Sequence, residues 1–331
     1  MNITVLGAGS WGTTVATVAA RRNPTVLWAR SEDTVRDVNE RHENTRYLAG
    51  FPLPEDLRAT ADLEESVGDA DVLVVGIPST GFRDVLEQAA PFVRPWIPVV
   101  SLTKGFEAGT YLRMTEVVKD VLPGRPSAAL TGPNIAKEIM AGYAAASVVA
   151  TEDLSVASAL QGVLRRGLFR IYTNHDVVGC EVGGALKNVV AIAAGMAQGL
   201  GVGDNTRSMV ITRGLAELTR LGVAMGGDPV TFAGLAGMGD LMVTCISPHS
   251  RNRHVGEQLG KGVPLEDVLA GMTMVAEGVK TAGLVVELAD RYGLDLPICS
   301  RIHGVVSGRL TVLDAYEGLM RTAPGHEAEP G

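Results

Sequence analysis

The chain has 331 residues, of which 46% are hydrophobic and 20% are charged, and its formal net charge at pH 7 is −8. At roughly 150 residues per domain, this length predicts two domains. The composition excludes an intrinsically disordered chain, and the acidic balance argues against nucleic acid as a partner. An anionic ligand would therefore need a local group of cations.

The first half of the chain alternates short apolar, β-rich runs with amphipathic stretches. Predicted strands lie at residues 3–6, 25–28, 71–76, 98–102, 127–130, 147–150 and 169–172, and predicted helices run from the glycine-rich motif to about residue 22 and over 32–41. Strands separated by helical stretches predict parallel βαβ units with helices on both faces. We therefore expect an α/β doubly wound sheet of the Rossmann type, with ligands at the carboxyl ends of its strands.

A Gly-x-Gly-x-x-Gly motif, formed by Gly7, Gly9 and Gly12, lies directly between the first predicted strand and the first predicted helix. Gly7 permits the tight turn, and Gly9 lets the backbone approach a pyrophosphate at the helix N-terminus. Gly12 allows the helix to pack closely on the strand. In this setting the motif predicts a dinucleotide cofactor, and the alternative is a purely structural glycine turn.

The end of the second predicted strand bears on the choice of cofactor. NAD-binding folds usually place Asp or Glu there, whereas this strand ends at Arg30. A guanidinium group suits a 2′-phosphate and can also lie against adenine. Glu32 and Asp33 come slightly later and fit the first turn of the next helix better. The sequence therefore favours NADP over NAD, with a solvated surface charge as the alternative for Arg30.

Polar residues also follow two later strands. Lys104 comes directly after a buried strand, where it could neutralise a phosphate, polarise a substrate or simply lead into solvent. Gly132 and Pro133 form a predicted turn after the next strand, and Asn134 is a candidate cap for the helix that follows. Backbone N–H groups at that helix start would bind an anion or a cofactor amide, or the cap would serve the helix alone.

From about residue 181, apolar residues recur every three or four positions and strand signals nearly disappear. This pattern predicts an all-α C-terminal domain. We expect the dinucleotide-binding Rossmann domain to span residues 1–178 and the all-helical substrate domain to span 179–320. The Pro-, Gly- and Glu-rich end of the chain, 321–331, is expected to be a flexible tail.

Lys187 is the only charged residue between Glu181 and Asp204, in a predicted helix that is otherwise apolar. A desolvated lysine has a depressed pKa and can exchange a proton near neutral pH, as an acid/base residue for a carbonyl/alcohol pair requires. Its removal is expected to leave the core intact. The alternative is a lysine whose ammonium reaches solvent at the edge of the domain.

Ser250 is a predicted helix N-cap, and it is followed by Arg251 and Asn252. Hydroxyl, guanidinium and amide donors at one helix start predict a phosphate-binding site. Asp240, upstream of this segment, is a candidate to orient a lysine or to accept a substrate hydroxyl.

Cysteine and histidine patterns predict no metal site. Cys180, Cys245 and Cys299 are far apart and form no CxxC motif, so we expect buried thiols in a reducing cytoplasm.

The longest uncharged run, 188–203, is too short and too glycine-rich for a membrane span, and a glycine motif stands where a signal peptide would need its apolar region. We expect a cytoplasmic protein without an integral membrane span. The sequence leaves the oligomeric state open, a homodimer included.

Together these motifs resemble the bacterial-type NAD(P)-dependent glycerol-3-phosphate dehydrogenase family over about residues 2–315. The matching segments are Gly-Ala-Gly-Ser-Trp-Gly at 7–12, Leu-Thr-Lys-Gly at 102–105, Gly-Pro-Asn-Ile-Ala at 132–136, Gly-Ala-Leu-Lys-Asn at 184–188, Gly-Asp-Leu at 239–241, Ser-Arg-Asn-Arg at 250–253 and Val-Ala-Glu-Gly at 275–278. The resemblance implies reversible reduction of dihydroxyacetone phosphate to sn-glycerol 3-phosphate, which feeds phospholipid synthesis.

The resemblance also implies roles for individual residues, with Lys187 as the proton donor and acceptor. The residues implied around the substrate are Lys104, Gly132, Asn134, Asp240, Ser250, Arg251 and Asn252. Those implied around the cofactor, besides the motif glycines, are Ser10, Trp11, Arg30, Lys104, Ala136, Arg251, Val275 and Glu277. Asn134 departs from the family, which often has Ser or Thr at this position.

Two alternatives remain open at this point. One is reduction of another small acid, such as a 3-hydroxy acid or ketopantoate, with Lys187 in the same role. The other is a non-catalytic NADP sensor whose second domain binds a partner protein. The Ser250–Arg253 cluster favours a phosphate over a carboxylate on the substrate without excluding a carboxylate, and a buried Lys187 favours an enzyme.

Overall fold

The computed structural model describes residues 1–272 and 276–321. The chain divides into two compact units, one formed by Met1–Val177 and the other beginning at Val178. The first unit is built on a β-sheet and the second on helices, as the sequence predicts.

The sheet of the first unit has eight strands. They are β1 (Ile3–Leu6), β2 (Thr25–Trp28), β3 (Leu57–Thr60), β4 (Val72–Val75), β5 (Val99–Ser101), β6 (Ser127–Thr131), β7 (Ala145–Ala150) and β8 (Phe169–Asn174), in the spatial order β3-β2-β1-β4-β5-β6-β7-β8. All seven predicted strands are present. The eighth, β3, was not predicted because Leu-Arg-Ala-Thr is a short edge strand without a continuous apolar run.

Six of the seven neighbouring pairs are parallel, in agreement with the predicted βαβ units. The exception is β6 with β7, which pair antiparallel with Thr131 opposite Val148. The chain after Thr131 turns back at the same edge of the sheet instead of crossing over it, so β7 runs in the opposite direction. No feature of the short apolar run at 147–150 distinguishes the two directions.

Seven helices cover the sheet. They are α1 (Ser10–Ala20), α2 (Glu32–Arg41), α3 (Leu63–Gly68), α4 (Ser79–Ala89), α5 (Met114–Val121), α6 (Ala136–Met140) and α7 (Leu154–Leu164). One core contains Val15 of α1, Val38 of α2 and Leu160 of α7. A separate core contains Phe82 of α4 and Val117 of α5. Two cores confirm the prediction of helices on both faces.

The second unit is helical throughout its described residues, which confirms the predicted all-α domain. It contains α8 (Val177–Leu200), α9 (Asp204–Ala224), α10 (Pro229–Phe232), a π-helical turn (Leu235–Gly239), α11 (Asp240–Ile246), α12 (Arg251–Gly260), α13 (Leu265–Ala270), α14 (Glu277–Tyr292), α15 (Pro297–Val306) and α16 (Val312–Arg321). Of the predicted tail, Arg321 ends α16, and 322–331 lie outside the described residues. The three cysteines are buried thiols, as predicted.

Glycines bring α8 and α12 into backbone contact. A Cβ atom on Gly195 would overlap the carbonyl oxygen of Arg253, and one on Gly256 would overlap that of Ile192. Two helices can approach this closely only where side chains are absent. Contacts of this kind are one reason why the chain contains 40 glycines.

Two stretches, Val177–Leu200 and Pro229–Ile246, are long and apolar enough to cross a membrane by length and composition alone. The apolar window of the first is 94% buried inside the protein, and that of the second is 39% buried. A buried core helix passes the same test, so α8 is explained by its place in the interior.

Candidate active site

The glycine motif forms the turn between β1 and α1, next to the point where the strand order reverses. Gly7 has a φ of +110°, and a Cβ atom there would lie 2.7 Å from the carbonyl oxygen of Gly76, which follows β4. A Cβ atom on Gly12 would overlap the carbonyl oxygen of Gly7. Around Gly9, by contrast, no atom lies within 4 Å of the Cβ position. Packing requires the first and last glycines, and the middle one leaves space for a ligand.

The start of α1 suits an anion. Gly9 is its N-cap, no side chain caps the helix, and its first turn has no acidic residue. The first N–H groups of a helix lack intrahelical partners, and the helix dipole is positive at this end. The open space at Gly9 and the uncapped helix together fit the pyrophosphate of a dinucleotide.

Ser10 and Trp11, the next two predicted cofactor residues, are both held by neighbouring segments. The Ser10 hydroxyl donates to the carbonyl oxygen of Tyr47 at 2.7 Å. The Trp11 ring meets Phe169 edge to face, with centroids 6.2 Å apart. The indole N–H of Trp11 is buried and has no hydrogen-bond partner within the described residues.

Arg30 is the second residue after β2 and is exposed. It forms no hydrogen bond or ion pair with the residues that the structure describes, so its guanidinium group is accessible to a ligand. Glu32 and Asp33 lie in the first turn of α2, as predicted.

Lys104, Gly132 and Asn134 come together at the carboxyl ends of β5 and β6. The Lys104 ammonium donates to the carbonyl oxygen of Gly132 at 3.1 Å and to Oδ1 of Asn134 at 2.9 Å. The prediction that Asn134 caps the next helix is wrong, because Ile135 is the N-cap of α6 and Ala136 is its first residue. The Asn134 amide oxygen is engaged by a cation instead, and such charge-assisted bonds are among the stronger ones.

Lys187 lies on α8 and is buried, together with Asp240 at the start of α11. Its ammonium forms an ion pair with the Asp240 carboxylate and donates to Oγ1 of Thr244 at 2.8 Å. The Thr244 hydroxyl in turn donates to the main-chain oxygen of Asp240 at 2.6 Å. Thr244 was missed by the sequence reasoning, although its position four residues after Asp240 puts both on one helix face.

A π-helical turn, Leu235–Gly239, immediately precedes Asp240. Such turns widen a helix locally and are frequent at functional sites. Cys245 lies beside the ion pair, and burial raises the pKa of its thiol to about 12, although the charge of Lys187 acts in the opposite direction. The thiol therefore stays protonated and is no nucleophile.

The Ser250–Asn252 segment divides into a cap, an exposed cation and a buried connector. Ser250 is the N-cap of α12, as predicted, and its hydroxyl oxygen accepts from the N–H of Arg253 at 3.3 Å. Arg251 is exposed. Asn252 is buried: its amide donates to Oδ1 of Asn188 at 2.9 Å, and its oxygen accepts from the N–H of Gly278 at 2.9 Å. Of the three predicted donors, only Arg251 is exposed.

The last predicted cofactor residues lie around the start of α14. Glu277 is the first residue of this helix, and Val275 lies outside the described residues. A Cβ atom on Gly278 would lie 2.5 Å from the carbonyl oxygen of Asn188, so α14 starts in contact with α8. Within residues 1–272 and 276–321, no group of three or more His, Cys, Asp and Glu side chains could hold a metal ion.

Comparisons with known proteins cover both units. Family models described as the N-terminus and the C-terminus of NAD-dependent glycerol-3-phosphate dehydrogenase match residues 2–157 and 176–317. The glycerol-3-phosphate dehydrogenase [NAD(P)+] 2 of Sphingopyxis alaskensis is 57% identical over 100% of this chain and 99% of its own length. The glycerol-3-phosphate dehydrogenase [NAD(P)+] of Mycobacterium avium is 55% identical over 98% of this chain and 96% of its own.

A solved structure points to the same family. The crystal structure of glycerol-3-phosphate dehydrogenase from Coxiella burnetii has a TM-score of 0.93 and 34% identity, and the match covers 97% of this chain and 98% of that one. These similarities confirm the resemblance inferred from the motifs. The chain belongs to the NAD(P)-dependent glycerol-3-phosphate dehydrogenase family.

Proposed function

We propose that this chain interconverts dihydroxyacetone phosphate and sn-glycerol 3-phosphate with NAD(P), and that Lys187 is its acid/base residue. The observation that carries this assignment is the buried contact of the Lys187 ammonium with Asp240 and Thr244. Family membership over almost the whole chain favours this reaction over reduction of another small acid and over a non-catalytic sensor.

Lys187 supplies or removes the proton of the substrate oxygen. During reduction, negative charge develops on the ketone oxygen as hydride arrives at the carbon, and a positioned ammonium stabilises this charge and donates the proton. Asp240 balances the lysine charge, and the Thr244 hydroxyl fixes the position of Nζ. In the oxidative direction the same lysine, as a neutral amine, would accept the hydroxyl proton.

The sheet unit holds the dinucleotide, whose nicotinamide provides or takes up the hydride when bound. Gly7, Gly9 and Gly12, with Ser10 and Trp11, form the loop that receives its pyrophosphate, on the evidence of the open Gly9 position. The family resemblance assigns four further residues to the cofactor, which are Lys104, Ala136, Val275 and Glu277.

Arg30 makes NADP the favoured cofactor. Arg30 is exposed and is the second residue after β2, a place where a carboxylate would instead accept hydrogen bonds from the ribose hydroxyls of NAD. A planar cation at this position can bind a 2′-phosphate with two parallel hydrogen bonds.

Arg251 anchors the substrate phosphate, with Ser250 beside it at the start of α12. Asn252 contributes by fixing the segment, since its side chain connects α12 to Asn188 and to Gly278. The family resemblance also assigns Lys104, Gly132 and Asn134 to the substrate. A cytoplasmic location and a role in glycerophospholipid synthesis follow from the family resemblance.

The test is consumption of NADPH by the purified protein with dihydroxyacetone phosphate, compared with dihydroxyacetone and with ketopantoate. We expect rapid turnover only with the phosphorylated ketone. Turnover of ketopantoate without turnover of dihydroxyacetone phosphate would favour reduction of another small acid. Binding of NADPH without turnover of any of the three ketones would favour the sensor.

A further inference from the structure

The peptide between Ala8 and Gly9 lacks the close backbone contacts that fix the two ends of the glycine motif. Gly7 and Gly12 are fixed by close backbone contacts, whereas Gly9 has open space around its Cβ position. The Ala8–Gly9 peptide is trans, so its C=O and N–H groups point in opposite directions. Because glycine accepts many backbone angles, this peptide can rotate and exchange the two groups. A carbonyl oxygen turned toward a phosphate would repel it, whereas an N–H would bind it.

The side chain of Asn44 holds this peptide in one orientation. Asn44 lies after α2 and is only 1% exposed. Its Nδ2 donates to the carbonyl oxygen of Ala8 at 2.9 Å and to Oγ1 of Thr13 at 2.8 Å. One amide group therefore connects the glycine turn to the first turn of α1. The N–H of Gly9, on the opposite side of the peptide, donates to no acceptor within the described residues.

Asn44 is itself held in place by its own segment. Its Oδ1 accepts from the N–H of Tyr47 at 3.2 Å, and its main-chain oxygen accepts from the N–H of Leu48 at 2.8 Å. The same segment returns to the motif, because the Ser10 hydroxyl donates to the carbonyl oxygen of Tyr47 at 2.7 Å. Both N–H groups of the Asn44 amide and its oxygen are thus used, which leaves its side chain a single orientation.

We propose that Asn44 is a positioning residue of the cofactor site, which fixes the Ala8–Gly9 peptide with its N–H toward the dinucleotide and its carbonyl oxygen away from it. This proposal rests on the assignment of the glycine motif to NAD(P). Asn44 itself touches neither cofactor nor substrate in this role. Its effect appears in the affinity for the cofactor, because an unheld peptide must be ordered when the cofactor binds.

The experiment measures NADPH binding to the full-length protein by calorimetry, together with thermal unfolding of the same protein without cofactor. Asn44→Ala is compared with wild type and with Asn39→Ala. Asn39 is a matched control, since its side-chain amide also bonds backbone in this unit, to the oxygen of Ala59 at 2.9 Å and to the N–H of Ala59 at 2.8 Å. It does not contact the glycine motif.

We expect Asn44→Ala to weaken NADPH binding by about tenfold, as the loss of a buried hydrogen-bonding group at a binding loop does. Asn39→Ala should lower the melting temperature and leave the NADPH dissociation constant within about twofold. In steady-state assays at saturating NADPH, Asn44→Ala should leave the KM for dihydroxyacetone phosphate unchanged. This split separates a cofactor-positioning role from general loosening of the fold.

Thr13→Val provides a second variant if Asn44→Ala does not fold. It keeps the shape of a fully buried side chain and removes one acceptor of the Asn44 amide, so NADPH binding should weaken by about threefold. Unchanged NADPH affinity in the folded variants, or an equal loss in Asn39→Ala, overturns the proposal. Failure of wild type to bind NADPH would instead show that the cofactor site is misassigned.

Discussion

The ammonium of Lys187 and the carboxylate of Asp240 form an ion pair inside the helical unit, with side chains that are 8% and 1% exposed. Desolvation of two charges is costly, and removal of one partner leaves the other charge buried and uncompensated. The expectation that Lys187 can be removed without harm to the core is therefore revised. Its catalytic and structural contributions need to be measured separately.

A double substitution separates them. We expect Lys187→Met to reduce turnover by about 10²–10⁴-fold, the usual value of general acid catalysis, and to lower the melting temperature. Adding Asp240→Asn should restore the melting temperature, because no buried charge remains, but should not restore turnover. Turnover of Lys187→Met within about threefold of wild type would exclude the acid/base role.

Thr244 gives a second test of the same site. Its hydroxyl proton is directed to the main-chain oxygen of Asp240 at 2.6 Å, so its oxygen presents a lone pair to Lys187 Nζ at 2.8 Å. We expect Thr244→Val to lower kcat by about tenfold and Thr244→Ser to retain kcat within about threefold. The KM for NADPH should not change in either variant. Equal kcat values for the two variants would show that the hydroxyl has no part in holding the lysine.

Features that depend only on neighbouring residues in the chain can be predicted from the sequence. The glycine motif, the N-cap at Ser250 and the acidic first turn of α2 each follow from neighbouring residues, and the structure has them. Lys187 could be singled out because it is the only charged residue between Glu181 and Asp204, in an otherwise apolar stretch. Its pairing with Asp240 could only be suggested, since the two lie 53 residues apart in the chain.

Contacts between distant segments account for what the sequence did not predict. The residues around Asn44 in the sequence form no motif that singles it out. Its contact with the glycine turn exists only in the folded chain, where the segment after α2 meets that turn. Asn252 has the residue type of a phosphate ligand, yet its side chain is used to join α12 to α8 and α14. Asn134 likewise has the residue type of a cap but lies next to Lys104. Residue type alone does not distinguish these uses.

Cofactor preference is tested at Arg30. We expect Arg30→Ala to raise the KM for NADPH by at least about tenfold and to change the KM for NADH little, since a charge-assisted hydrogen bond contributes about 1.5–3 kcal/mol. Arg36→Ala is the control, because Arg36 is an exposed arginine on α2 that pairs with Asp33. Equal changes for both cofactors in Arg30→Ala would show that Arg30 does not recognise the 2′-phosphate.

Glu217 predicts a pH dependence of stability. This carboxylate is 2% exposed, and it accepts from the N–H groups of Ile298 at 2.7 Å and Cys299 at 3.0 Å at the start of α15. Burial raises its pKa above the usual 4.5, although the two N–H groups and the charge of Arg220 act in the opposite direction. The folded protein therefore binds this proton more tightly than the unfolded chain does.

The direction in which stability changes with pH follows from that difference in proton binding. As pH rises from 4.5, the unfolded chain loses the Glu217 proton first, so the stability contributed by the protonated form declines until the raised pKa is passed. Melting temperatures of wild type and Glu217→Gln, measured over a pH series, should show a wild-type advantage that shrinks with rising pH. A difference that is constant across the series would contradict the raised pKa.

The phosphate assignment is tested at Arg251, the exposed first residue of α12. Arg251→Lys keeps the charge but loses the planar group that can bind phosphate through two parallel hydrogen bonds. For dihydroxyacetone phosphate we expect kcat/KM to fall by at least about tenfold, or about 1.4 kcal/mol of transition-state binding. Unphosphorylated dihydroxyacetone lacks the group that Arg251 would hold, so its lower kcat/KM should change far less.

Comparing wild type and Arg251→Lys with both substrates separates the contribution of the phosphate from general damage to the enzyme. An equal loss for both substrates would place Arg251 with the cofactor or the fold, and the phosphate anchor would have to be sought elsewhere.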